Sequence, residues 1–66
     1  MRITLNGEPR EVVAVLTVEA LLRSFDLDPK KVAVERNLEI VRRSEFSRLM
    51  IEEGDRLEIV HFIGGG

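Results

Sequence analysis

Apolar and polar residues alternate at both ends of the chain, and a period of two predicts strands with one buried face. The first five residues follow this pattern, and Asn6-Gly7 then favours a turn into a second strand from about residue 10 to 14. Near the other end, a turn at residues 53–55 precedes a last strand over residues 56–63. Strands are therefore expected to open and close the chain.

One segment between them has the spacing of an amphipathic helix. Thr17 can accept a backbone N–H as the N-cap, and the Asp28-Pro29 step ends any continuation of the helix. The apolar stripe recurs at helical spacing and comprises Val18, Leu21, Leu22 and Phe25. This is the main helix that the sequence predicts.

Two shorter strands follow the helix. Residues 32–36 are β-branched and alternating, Asn37 is a turn candidate, and residues 39–42 read as a short edge strand. Ser44 is then expected to cap a single turn that runs through Phe46 and Leu49.

The element order β-β-α-β-β-(short helix)-β is that of the β-grasp fold, an α+β class in which a mixed sheet of four or five strands wraps one helix. The prediction is one domain over residues 1–63, followed by a flexible C-terminal glycine tail at residues 64–66. The expected core is Ile3, Leu5, Leu21, Leu22, Phe25, Val32, Val34, Leu57 and Ile59.

The last strand carries apolar residues on both faces. Leu57, Ile59, His61 and Ile63 share the predicted core face, so an ordinary packing or hydrogen-bonding role is expected for the histidine. Val60 and Phe62 then lie on the solvent face, where a sheet covered on one side normally has polar residues. We interpret Val60 and Phe62 as a docking patch; the alternatives are stray exposed residues or cover by a neighbouring loop.

The composition of the chain argues against several classes of binding site and partner. The 66 residues contain no cysteine, and 12 acidic and 10 basic residues give a formal charge of -2 without a basic block. Disulfides, thiolate metal sites, nucleic-acid binding and membrane insertion are therefore not expected, and the predicted location is cytoplasmic. The acids around Gly54 are interpreted as a solvated turn, whereas Arg42 and Arg43 are candidates for the rim of a partner interface.

The final Gly64-Gly65-Gly66 suggests chemistry at a C-terminal carboxylate. A carboxylate is a poor electrophile, but adenylation by ATP makes it reactive, and sulfide can then displace AMP to leave a thiocarboxylate. Glycine suits this role because a backbone without Cβ can enter a narrow enzyme channel.

Several segments together match one known family: residues 3–7, 17–22, 32–37, 41–46 and 54–55, together with the ending Ile63-Gly64-Gly65-Gly66. Through them the chain resembles, over its whole length, the ThiS family, the sulfur carriers of thiamine biosynthesis. The resemblance implies that Gly66 is adenylated and thiocarboxylated, and that Gly65 and Gly64 serve recognition of the tail. It also implies a ThiF-like adenylyltransferase that uses ATP, a ThiG-like thiazole synthase and a sulfur-donor enzyme as partners. No bound cofactor and no metal are expected, and the free protein is expected to be a monomer.

Other functions share these features. Within the fold, the carrier could serve molybdopterin synthesis or tRNA thiolation, since the tail and the transferred atom are the same. From another class, the chain could be a non-covalent β-grasp protein-binding module. An independent enzyme is not expected, because the chain lacks a catalytic constellation beyond the lone His61.

Overall fold

A computed structural model describes residues 1–13 and 16–62 of the chain. The helix α1 spans Val18–Ser24, and five strands form one sheet in the order β2-β1-β5-β3-β4. The strands are β1 (Arg2–Leu5), β2 (Glu8–Glu11), β3 (Val32–Arg36), β4 (Glu39–Val41) and β5 (Arg56–His61). Strands β1 and β5 are parallel, and the other neighbours are antiparallel. This is the β-grasp arrangement that the element order predicts.

Both hairpin turns are built from residues with positive φ. Asn6 and Gly7 have φ values of 49° and 83°, as a two-residue type I′ connection requires. Asn37 and Leu38 make the equivalent turn between β3 and β4, with φ values of 52° and 73°. Leucine is unusual at such a position, because its Cβ crowds the backbone there.

The second strand lies earlier in the chain than predicted. Strand β2 spans Glu8–Glu11, whereas the alternation predicted residues 10–14; Ala14 lies outside the described residues. Pro9 is inside the strand, opposite Thr4. Proline is tolerated there because β2 is an edge strand. On its outer side no neighbouring strand needs the N–H that proline lacks.

The helix begins and ends close to where the sequence predicts. The Thr17 side chain accepts a hydrogen bond from the Ala20 N–H at 3.1 Å, which confirms the N-cap. Phe25 is the C-cap residue. A 3-10 helix over Pro29–Lys31 then leads into β3, with the Asp28 side chain capping it through the Lys30 N–H.

A second 3-10 helix spans Arg43–Glu45, and the prediction that Ser44 caps this turn is wrong. Ser44 lies inside the 3-10 helix, and Arg42 precedes it without a capping side-chain bond. The segment is held instead by Arg43, whose guanidinium donates to the carbonyls of Pro29 and Val32, both at 3.1 Å. Arg43 therefore ties this turn to the start of β3.

The core lies between α1 and one face of the sheet. It comprises Ile3, Val18, Leu21, Leu22, Val32, Val34, Val41, Phe46, Ile51 and Leu57. Of the predicted core residues, Leu5, Phe25 and Ile59 are partly buried and pack against this cluster. The sheet is thus covered on one face, and the other face is available to solvent.

Candidate functional site

The predicted reactive residues lie at the end of the chain that follows β5. Gly64, Gly65 and Gly66 are outside the described residues, as is Ile63, so their predicted roles stay predictions. Phe62 is the last residue described, and its backbone N–H donates to the Lys31 carbonyl at 2.8 Å. Strand pairing with the segment before β3 therefore extends to within four residues of Gly66.

Val60 and Phe62 are exposed, as the alternation along the last strand predicts. The exposed fractions are 61% for Val60 and 48% for Phe62. On the opposite face of the same strand, Leu57 is fully buried and Ile59 is partly buried against the core. The chain therefore places two apolar side chains in water within four residues of the first terminal glycine, Gly64.

Arg42 lies on the same outer face as Val60, two strands away. The register pairs Val60 with Ala33 and Val34 with Val41, so the next position along β4 brings Arg42 beside Ala33. Arg42 is exposed and its backbone is still extended, with φ -69° and ψ 143°. Two strand spacings put the Cα atoms of Val60 and Arg42 about 10 Å apart. We call Ala33, Arg42, Val60 and Phe62 the docking face, after the partner contact that the sequence predicts for Arg42, Val60 and Phe62.

The outer face also carries two carboxylates that the sequence did not single out. Glu35 and Glu58 are directly opposite each other on β3 and β5. Like charges in such a cross-strand pair destabilise a sheet. The alternation places each glutamate on the solvent face, but their pairing follows only from the register of β3 against β5. A third outward residue, Ile40, lies opposite Glu35 on β4 and is 79% exposed.

The acidic turn after Ile51 is only partly solvated. Glu52 and Glu53 are exposed, as expected, but Asp55 is 6% exposed, so its assignment to a solvated turn is wrong. Its carboxylate accepts from the Glu52 N–H at 2.8 Å and from the Asn37 amide at 3.1 Å. The Arg36 guanidinium lies 3.4 Å away. Asp55 therefore joins the β3–β4 turn to the start of β5, which is a structural role.

His61 is exposed, so the packing role offered for it is wrong, and its side chain makes no hydrogen bond with residues 1–13 and 16–62. It pairs with Val32 at the end of the β3–β5 ladder. Along the core face of β5, Leu57 is buried, Ile59 is partly buried and His61 is exposed.

The two arginines of the predicted rim have different roles in the structure. Arg43 holds the fold through two carbonyls, whereas Arg42 makes no ion pair or side-chain hydrogen bond among residues 1–13 and 16–62.

Neither a metal-binding cluster nor a membrane-spanning helix occurs in the described part of the chain. Across residues 1–13 and 16–62, no group of three or more His, Cys, Asp or Glu side chains is arranged to hold a metal ion. Within the same residues, no helix has the length and hydropathy required to span a bilayer. The arrangement can instead present an apolar and charged surface to a partner.

Comparisons with known proteins agree on one family. The model of the ThiS family matches residues 3–66. The whole chain is 54% identical to part of a thiazole synthase of Paramagnetospirillum magneticum, of which it spans 20%. Over 50 residues it is 44% identical to the sulfur carrier protein ThiS of Bacillus subtilis, covering 76% of each chain. The crystal structure of the thiamine biosynthesis protein ThiS of Geobacter metallireducens superposes with a TM-score of 0.86 at 35% identity and full coverage of both chains.

Proposed function

Because the chain belongs to the ThiS family, we propose that it is a sulfur carrier of thiamine biosynthesis whose Gly66 carboxylate becomes a thiocarboxylate. The observation that carries the proposal is the family match over residues 3–66, which includes the glycine tail. The similarity to a protein named sulfur carrier protein ThiS supports the same function. In this function the chain is a substrate for other enzymes and has no active site of its own.

The proposed chemistry requires only a free carboxylate at Gly66. A carboxylate oxygen attacks the α-phosphate of ATP, and pyrophosphate leaves. Sulfide then attacks the carbonyl carbon of the acyl-adenylate and forms a C–S bond. The bond between that carbon and the bridging oxygen of the adenylate breaks, and AMP leaves with the oxygen. No electrons are exchanged when the donor is sulfide, and the ATP belongs to the partner enzyme. Glycine leaves the carbonyl open to both reactants.

Two enzymes complete the proposal. A ThiF-like adenylyltransferase would activate Gly66, and a ThiG-like thiazole synthase would accept the sulfur for thiazole formation. The thiazole synthase is supported by relatives of that name, in which a segment similar to this whole chain makes up 20% of the protein. The presence of such a segment within proteins named thiazole synthase is what supports a thiazole synthase as the acceptor of the sulfur.

We place the contact with these enzymes on the docking face. Val60 and Phe62 are exposed apolar residues next to the tail. Ala33 continues the apolar surface beside Val60, and Arg42 follows Ala33 as a cation at the rim. An extended chain from Phe62 to Gly66 reaches about 14 Å at ~3.4 Å per residue, so a partner seated on this face can hold Gly66 in a nearby active site.

The carrier function is tested by reconstitution with a ThiF-like enzyme, ATP and sulfide. We expect the intact mass to rise by about 16 Da as sulfur replaces oxygen, and the rise to require ATP. Thiazole formation by a ThiG-like enzyme should then consume the modified protein. Modification that supports molybdopterin synthesis but not thiazole formation would assign the carrier to the rival pathway. Failure of every cognate adenylyltransferase to modify it would refute the function.

The docking face is tested by comparing two substitutions of exposed apolar residues. Phe62→Glu should weaken binding of the adenylyltransferase by about tenfold or more, since an apolar anchor becomes a desolvated charge. Leu38→Glu is the matched control, because Leu38 is 78% exposed but lies at the far end of the sheet. Equal effects of the two variants would contradict this placement, and a large fall in the melting temperature of Phe62→Glu would show that Phe62 belongs to the core.

A further inference from the structure

Strand β5 loses its neighbour on one side before it ends. On the β1 side, pairing covers Arg56 and Leu57 and continues with the Asn6 N–H, which donates to the Leu57 carbonyl at 2.8 Å. The chain then turns away at Asn6-Gly7 into β2. On the β3 side, pairing continues to His61, and beyond it Phe62 donates to Lys31.

The Asn6 side chain closes the β1–β5 ladder. Its Oδ1 accepts from the Ile59 N–H at 2.7 Å, and its Nδ2 donates to the Ile59 carbonyl at 3.3 Å. In a parallel pair the backbone of a continuing strand would supply the partners for these two groups. The amide of Asn6 therefore satisfies Ile59 and marks the last position of β5 that is paired on this side.

His61 is the first position of the open edge. Backbone groups alternate in direction along a strand, and Phe62 points its N–H toward Lys31. The N–H and C=O of His61 therefore point the other way, like those of Ile59, toward the side that β1 has left. No residue in the described ranges 1–13 and 16–62 pairs with His61 there. An unpaired row of backbone groups is a template for an added strand.

The tail gives an enzyme little else to bind. Gly64, Gly65 and Gly66 have no side chains, so an enzyme that positions the Gly66 carbonyl must grip this part of the chain through its backbone. Gly66 is five positions after His61, which an extended chain spans with about 17 Å at ~3.4 Å per residue. The open edge of β5 is therefore close in sequence to the carbonyl that the enzyme must hold.

We propose that the adenylyltransferase adds an extended segment of its own chain to β5 at His61, on the side that β1 leaves open, and so continues the sheet into the tail. This inference rests on the proposed carrier function. The partner's segment hydrogen-bonds the His61 N–H and C=O, while β3 keeps its bonds on the other side. Main-chain pairing supplies affinity for a tail without side chains, as in other cases of strand addition.

Amide hydrogen exchange tests the pairing without any substitution. In the free protein the His61 N–H should exchange fast, while the Phe62 N–H, bonded to Lys31, is protected. In the complex with the ThiF-like adenylyltransferase, exchange at His61 should slow at least tenfold, and Phe62 stays protected. Unchanged exchange at His61 in a complex that adenylates Gly66 overturns the inference and leaves the carrier function standing. An enzyme that neither binds nor adenylates the chain overturns both.

A pair of variants separates the contribution of the His61 backbone to binding from that of its side chain. His61→Pro removes an N–H that bonds to nothing in β3, whereas His61→Ala keeps that N–H and removes the imidazole. We expect His61→Pro to raise the Kd for the adenylyltransferase by about three- to tenfold, the loss of one hydrogen bond, and His61→Ala to change it by less than about twofold. Equal losses in the two variants, or normal binding by His61→Pro, would overturn the inference.

Discussion

Replacing Asn6 with glycine is expected to lower the free energy of unfolding by about 1–2 kcal/mol. The substitution removes two side-chain hydrogen bonds to Ile59, of 2.7 and 3.3 Å, and each contributes about 0.5–1 kcal/mol at an exposed site. Glycine accepts the positive φ of 49° at this position without strain. The turn is therefore preserved, and the loss can be assigned to the end of the β1–β5 pairing.

Chemical denaturation followed by circular dichroism measures this loss, and Asn6→Ala separates the two contributions. Alanine removes the same bonds and also pays about 1 kcal/mol or more for positive φ, so it should be less stable than Asn6→Gly. In a domain of this size each kcal/mol corresponds to about 4–8 °C in melting temperature. If Asn6→Gly unfolds with the same free energy as the unmodified chain, the side chain of Asn6 does not hold β5.

Three further substitutions test individual side chains, each by its effect on the free energy of unfolding. Asp55→Ala should cost about 2–4 kcal/mol, because its buried carboxylate has three donors that would lose their acceptor; a cost below about 1 kcal/mol would contradict that role. Leu38→Gly should be neutral or stabilising by up to about 1 kcal/mol, since it relieves a positive φ of 73° at an exposed position, and destabilisation would show an unrecognised contact. Glu58→Gln should stabilise by a few tenths of a kcal/mol at low salt by removing repulsion from Glu35, with the gain lost at about 1 M salt; a gain independent of salt would not be electrostatic.

Local chemistry made the turns and the helix predictable. Asn6-Gly7 and Asn37 tolerate positive φ, and Thr17 supplies a cap for the stripe that begins at Val18. Each of these signals depends on a few neighbouring residues, so the sequence alone carries it. The position of β2 was less predictable, because Pro9 disfavours most strands and is accepted here only at the sheet edge.

The core residues in the part of the sequence from the end of β4 to the start of β5 could not be identified in the same way. Val41, Phe46 and Ile51 are buried, but they lie in short or irregular elements without a repeating period. Asp55 is a similar case, since an acidic residue after glycine is typical of a solvated turn. Its burial depends on Arg36 and Asn37, which reach it from the end of the neighbouring strand β3 and from the turn that follows it.

Only part of the candidate site could be predicted from the sequence. Alternation along one strand correctly predicted that Val60 and Phe62 are exposed. The row from Val60 through Ala33 to Arg42 depends on the register of three strands, which alternation does not define. The family resemblance extended the site to Gly66, whose reaction is still a prediction.

Fragmentation mass spectrometry of the reconstituted protein tests the central claim most directly, because it locates the sulfur atom. With ATP, the adenylyltransferase and ³⁴S-labelled sulfide, the fragment that ends at Gly66 should gain about 18 Da, whereas oxidation of Met1 or Met50 adds about 16 Da elsewhere. A label that is absent from the fragment containing Gly66 would contradict the account.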